Sequence, residues 1–234
     1  MGRVILSGAS KGMTVPSTIK ANFAGNTWAT IIDACHKNQV PATWVVGNQK
    51  TMTINGTAYV IDIIGKNHDD YADGSGKAPL TFQLHDCYGT KYAMNSSETN
   101  VGGWTSCAMR NTHLPAILSQ MPTEVQNGIR EVNKLTSAGN QSATINTTAD
   151  KLFLLSEIEI FGSVSHSKSG EGTQYDYYKA GNSRVKNYNG SAYNWLERSP
   201  RGSNSAFFCY VSIGGGASYS FANAENGVAF AFCF

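Results

Sequence analysis

Charge is scarce in this sequence. Lys and Arg number 18 and Asp and Glu 16 in 234 residues, so charged residues make up 15%, against roughly 25% in an ordinary soluble domain. Low charge with 11% aromatics is the reverse of a disordered composition and predicts a packed fold. No run approaches the roughly 18 apolar residues of a membrane-spanning helix. The Arg3–Ser7 stretch is too short for the core of a cleaved signal peptide. The net charge of +2 is scattered, with no basic cluster of the kind that grips nucleic acid or anionic lipid. Neither a nucleic-acid partner nor a membrane span is expected.

Catalytic and metal-binding signatures are equally sparse. The cysteines at 35, 87, 107, 209 and 233 show no CxxC or zinc-ligand spacing and read as thiols in a reducing compartment. There is no G-x-S-x-G elbow. Gly214-Gly215-Gly216 lacks the Lys and following helix of a phosphate loop, and reads as a flexible tip. His68-Asp69-Asp70 with Asp73, and His85-Asp86-Cys87, bring potential ligands together without the alternation of a calcium loop. Turn capping, or pairing with a structural Arg, is the favoured reading of Asp69 and Asp70. No catalytic residue, metal or cofactor is expected.

What is present is a mixture of short helical and strand signals. Residues 1–25, rich in Gly, Ser, Thr and Lys, read as an arm or attachment segment ahead of one domain over 26–234. Asn26 or Thr27 caps a helix with Trp28, Ile31, Ile32 and Cys35 on one face, ended by Pro41. Asn55-Gly56 between Thr51–Ile54 and Thr57–Ile64 predicts a type I′ hairpin. Ser106–Gln120 reads as a helix broken or restarted at Pro115, and Thr123–Gln126 as a short helix start. Ile129–Leu135 is read as a strand, Thr136–Asp150 as a polar loop and Lys151–Leu155 as a short strand. Gly227–Phe234 alternates Val228, Phe230, Phe232 and Phe234 with Ala229, Ala231 and Cys233. Such a strand must be central and covered on both faces.

Between Pro200 and Gly227 the vocabulary changes. Past Gly202 the single charged residue is Glu225, and Ser, Asn, Gly and Tyr dominate with aromatics among them. Antibody loops use the same set: Tyr gives contact area at low entropic cost, and Ser, Asn and Gly give adaptable hydrogen bonds. The expected binding face comprises Arg201, Ser203, Asn204, Phe207, Tyr210, Ser212, Ile213, Ser218, Tyr219, Phe221, Asn223, Glu225 and Asn226. Phe208 and Cys209 are expected to face inward, with Phe207 and Tyr210 outward.

The flanks carry a resemblance. Trp195-Leu196-Glu197-Arg198-Ser199-Pro200 before this segment, and Gly227-Val228-Ala229-Phe230-Ala231-Phe232 after it, resemble C-type-lectin-like domains related to the formylglycine-generating-enzyme fold. Phage and gut-bacterial versions carry a WLRSP-like motif and a closing GV-aromatic strand. Gly65–Asp70 and Asp150–Glu157 are also similar, so the likeness spans residues 40–234. It implies an α+β, C-type-lectin-like fold of small antiparallel sheets, two or more flanking helices and long loops. It further implies a variable protein of a diversity-generating retroelement, with a variable-type region over 195–234. Such proteins act as phage tail-tip receptor binders or bacterial surface binders. The implied partners are a host or target cell-surface protein or glycan, and other virion or surface proteins through the arm.

The implied location is the phage virion tail, or otherwise the bacterial cytoplasm or cell surface without a cleaved signal peptide. Trp195, Leu196, Arg198, Gly227, Val228, Phe230 and Phe232 would form the scaffold. The alternatives are a non-diversified structural or adhesin-like module and, less favoured, a copper-dependent oxidase using Cys209 and Cys233 on adjacent strands. Their aromatic neighbours supply no thiolate-forming group.

Overall fold

The computed structural model describes residues 18–234; residues 1–17, most of the expected arm, lie outside the described residues. The architecture is α+β, with small antiparallel sheets and short helices. Its central sheet runs in the order β1 (Gln49–Ile54), β2 (Thr57–Lys66), β3 (Leu80–Leu84), β12 (Ala231–Cys233) and β6 (Leu152–Phe153), every pair antiparallel. Asn55 (φ 46°) and Gly56 (φ 78°) close the β1–β2 hairpin, in the positive-φ region that a type I′ turn demands. The chain's last segment therefore inserts between β3 and β6, and residues 226–234 are all buried.

The two faces of that closing segment do different work. Phe232 and Phe234 join an aromatic cluster with Phe82, Trp28, Phe23 and Trp44, at centroid separations of 5.3–6.5 Å. Trp28 begins α1 (Trp28–His36), whose first turn is capped by the Thr27 hydroxyl accepting from the Thr30 amide, one of the otherwise orphaned donors of a helix start. Phe23 is buried in this cluster, so residues 23–25, assigned to the arm from sequence, pack with the domain.

The small residues of the opposite face leave room for a polar interior. Lys134 Nζ lies 2.7 Å from Asp69 and 2.8 Å from Glu159, and Arg198 grips both oxygens of Glu159 at 2.5 and 2.8 Å. Tyr175 donates to Asp69, Thr81 does the same at 2.6 Å, and the Cys233 thiol sits 3.7 Å away. All these side chains are buried. Two cations balance two carboxylates, which is the condition for charge to survive in a low-dielectric interior. Despite burial, Lys134 and its hydrogen bonds hold Asp69 down to about 2; Arg198 and Lys134 hold Glu159 below its ordinary range.

Two expectations from the sequence need correction. The break in the 106–120 helix falls at Cys107, between α2 (Gly103–Ser106) and a wide turn over Met109–His113 that runs directly into α3 (Leu114–Leu118). Pro115 lacks a donor and crowds the carbonyl a turn before it; the widened turn absorbs it without ending the helix. Residues 136–150 are not a loop throughout. They complete the hairpin β4 (Val132–Ser137) and β5 (Ile145–Asp150), whose inward positions beyond Val132 are polar: Lys134, Thr136, Thr148 and Asp150. Asp150 accepts from Trp104, Thr148 and Arg110. The remaining helices are α4 (Thr123–Gly128), which precedes β4 and is anticipated in part, and the unanticipated α5 (Glu157–Phe161) and α6 (Asp176–Lys179). A Ser156–Glu159 capping box starts α5, so Glu159 serves the helix and the ion cluster together.

Replacing Arg198 with Met is predicted to lower unfolding free energy by about 3–5 kcal/mol, because Glu159 is left buried with half its compensation gone. Urea titration measures it, and a loss below about 1 kcal/mol would contradict the account.

Candidate functional site

The segment after Pro200 folds onto a second sheet, in the order β11 (Ala217–Phe221), β10 (Phe207–Val211) and β9 (Trp195–Pro200), with the small hairpin β7 (Lys186–Tyr188) and β8 (Ser191–Tyr193) preceding it. All six residues of β9 are buried. Trp195 donates to the Arg184 carbonyl at 2.8 Å. Arg198 is anchored by the Leu135, Leu154 and Glu171 carbonyls as well as by Glu159. The chain returns beside β9 at Gly227, which forms a parallel bridge with Trp195. A Cβ there would stand 2.5 Å from Cys87 Sγ and 2.8 Å from the Asn194 carbonyl oxygen, so only glycine permits the approach.

The strand register sorts the expected binding residues into two faces, where the sequence suggested one. Phe207 pairs with Phe221, Cys209 with Tyr219 and Val211 with Ala217, which puts these six side chains on one face. Phe208 and Tyr210, opposite Ser220 and Ser218, lie on the other. A register shift between Phe208 and Tyr210 against β9 accompanies the burial of both Phe208 and Cys209, while Phe207 and Tyr210 stay half-buried. The first face is the aromatic one: Phe207 stacks on Phe221 at 4.5 Å and meets Tyr219 edge-on at 5.4 Å. The Arg201 guanidinium lies 3.5 Å above the Tyr219 ring, with His166 against its edge.

The loops divide as well. Ser203, Asn204, Asn223 and Glu225 are exposed near the Phe207–Phe221 end. Ser212 and the exposed Ile213 sit in the β10–β11 turn, past Val211 and so more than about 13 Å away at the strand rise of about 3.3 Å per residue. Asn226 leaves the expected face altogether. It is buried, its backbone bridges Tyr92, and its amide donates to Ser220 Oγ at 3.1 Å. Cys209 and Cys233 fall in different sheets, not on adjacent strands, and burial pushes both thiols far up. Among the described residues no group of three or more His, Cys, Asp and Glu is arranged to hold a metal, and no helix is long and apolar enough to cross a membrane.

Two features of this region were not singled out from sequence. Asn100, fully buried, donates from Nδ2 to the carbonyls of Asn204 (3.0 Å) and Phe207 (2.7 Å) and accepts the Asn140 amide at 2.8 Å. Its own amide donates to the Ser205 carbonyl at 2.6 Å. One side chain thus fixes the 201–207 loop, and a single Asn in a polar stretch gives no pattern to find it by. The second feature is a set of buried acids beneath the aromatic face. Glu157 accepts from the His166 and Ser167 amides and the Ser167 hydroxyl. Glu171 accepts from Ser199 and the Ser137 amide. Glu197, in the Trp-Leu-Glu-Arg-Ser-Pro motif, has no hydrogen-bond partner on either oxygen among the described residues. Burial raises Glu171 to about 7 and pushes Glu197 well above the ordinary carboxylate range.

A family model described as Domain of unknown function (DUF6273) matches residues 79–234. No curated protein and no solved structure matches. The matched span takes in β3, the hairpin β4–β5, the whole second sheet and β12, which includes the expected binding segment and both motifs that flank it.

Asn100→Ala is predicted to cost about 2–3 kcal/mol, since the Asn204 and Phe207 carbonyls lose their donor, and to open the 201–207 loop to protease before global unfolding. Intact loop resistance would contradict the role given to Asn100. The acids yield a pH prediction. In the folded chain Glu171 and Glu197 hold protons above the ordinary Glu value of 4.5. The native state therefore binds more protons than the unfolded one, and these groups make stability fall as pH rises from that value through about 7 and beyond. Glu197→Gln removes one share. Its unfolding free energy should decline less than the wild type's between about pH 5 and about pH 8, and equal declines would contradict the assignment.

Proposed function

The chain belongs to the DUF6273 family, and we propose that it is a ligand-binding module of C-type-lectin type, without catalytic chemistry, that displays the exposed residues of its 201–225 segment to a target cell-surface protein or glycan. The observation that carries the reading is the abrupt change of environment at Pro200. Six consecutive residues of β9 are buried; the segment that follows exposes Ser203, Asn204, Ile213, Phe221, Asn223 and Glu225. Ile213 and Phe221, at 60% and 44% exposed, are large apolar side chains at opposite ends of the β10–β11 pair, each an apolar contact point among small polar groups.

The flanking motifs support the narrower reading, a variable protein of a diversity-generating retroelement that serves as a phage tail-tip or bacterial surface receptor binder. A site whose side chains vary needs a backbone fixed by residues outside it. Arg198, Asn100 and Gly227 supply that from beneath: each anchors main chain and none belongs to the exposed set.

Two measurements test this. In a yeast-displayed library randomised at Ser203, Ile213, Phe221, Asn223 and Glu225, most members should stay folded and binders to unrelated purified proteins should emerge. Widespread unfolding would overturn the display role. Beside the gene, a near-copy of the 195–234 coding segment differing at adenines, next to a reverse transcriptase gene, is the expected arrangement. Its absence would overturn diversification and leave a non-diversified binding module.

A further inference from the structure

The second sheet ends in an open edge. The Ala222 amide donates to the Ala206 carbonyl and the Ser212 amide to the Gly216 carbonyl, and these pairs share the β10–β11 register. In an antiparallel ladder, hydrogen-bonded pairs recur at every second residue. Ser218 and Ser220 therefore direct their main-chain groups to β10, while Ala217, Tyr219 and Phe221 direct theirs outward. The Phe221 carbonyl is taken by the Ala224 amide. Among the described residues, no group donates to or accepts from the backbone of Ala217 or Tyr219, and β11 pairs with β10 alone.

An edge of unpaired amides and carbonyls is a template for another extended chain. The side chains along it narrow what that chain should carry. Arg201 stacks over Tyr219; among the described residues its buried Nε has no partner and no carboxylate pairs with it. Lys168, packed at Gly202, and His166, against Tyr219, add to the same side. Glu157, Glu171 and Glu197 are buried, and among the described residues neither they nor the exposed Glu225 forms an ion pair with Arg201. A second copy of β11 would bring another Arg201 to the contact, and so is disfavoured. We infer that the edge of β11 binds an extended acidic peptide segment, which adds an antiparallel strand through the backbone of Ala217 and Tyr219 and places a carboxylate on Arg201.

This rests on the reading of 201–226 as a ligand-binding surface, but the two fail separately: the library can yield binders while the edge takes no peptide. The test uses acetyl-Val-Thr-Glu-Thr-Val-amide and its central Gln and Lys variants, titrated into 15N-labelled protein. The Glu peptide should shift the Ala217 and Tyr219 amides and slow their hydrogen exchange. It should bind about tenfold more tightly than the Gln peptide, the size of one charge-assisted hydrogen bond, and the Lys peptide more weakly still. Arg201→Gln should erase the preference for Glu over Gln while the backbone shifts persist. Equal binding of all three peptides, or no shift at Tyr219 at millimolar peptide, would overturn the inference. Protection of Tyr219 that grows with protein concentration alone would overturn it too, in favour of pairing between copies.

Discussion

The bidentate pairing of Arg198 with Glu159 is the interaction on which the rest of this fold depends. It is fully buried, so it persists only with exact charge balance and a complete set of hydrogen bonds. Lys134 and Asp69 supply the balance, and the Leu135, Leu154 and Glu171 carbonyls take the remaining guanidinium donors. These partners come from β4, β6–α5, the loop before α6 and the loop after β2. One side chain thus ties the hairpin, the capping box and the second sheet to the central sheet. Small residues on one face of the closing strand leave this cluster its space, and the Cys233 thiol reaches Asp69 across it.

That arrangement explains how a low-charge sequence can present a surface of small polar and aromatic groups without surrendering rigidity. Much of its charge is interior. Asp69, Lys134, Asp150, Glu157, Glu159, Glu171, Lys186, Glu197 and Arg198 are all buried, and Glu157, Glu159, Glu171, Lys186 and Arg198 among them bond and orient main chain. The display segment carries almost none of it. Rigidity is built under the sheet, and contact chemistry is carried on its outer strand and loops, a division that lets one change without the other.

The parts of the fold legible in the sequence were those with strong local rules. Asn55-Gly56 announces its hairpin, Asn26 or Thr27 the helix start, and the alternation of Gly227–Phe234 a central strand with unlike faces. The hairpin β4–β5 was half missed because its inward face is polar, and hydrophobic periodicity cannot report a strand that buries Lys134, Thr148 and Asp150. The break near Pro115 was misplaced because a widened turn accommodates the ring. For the candidate surface, composition located the segment, but the register that puts Phe207 with Phe221 and turns Tyr210 away is a pairing property. Asn226 matched the composition of a contact residue and is instead a buried brace, since side-chain type alone does not report burial.

The most direct test of the central claim is native-state hydrogen exchange read at two amides of the second sheet. The Arg198 amide, bonded to the Leu155 carbonyl, should exchange only through global unfolding, with a free energy equal to that from urea titration. The Tyr219 amide, on the open edge of the same sheet, should exchange orders of magnitude faster and independently of denaturant. Exchange of Arg198 by local opening well below the global value, or protection of Tyr219 matching Arg198, would contradict a rigid buried base beneath a separate display surface.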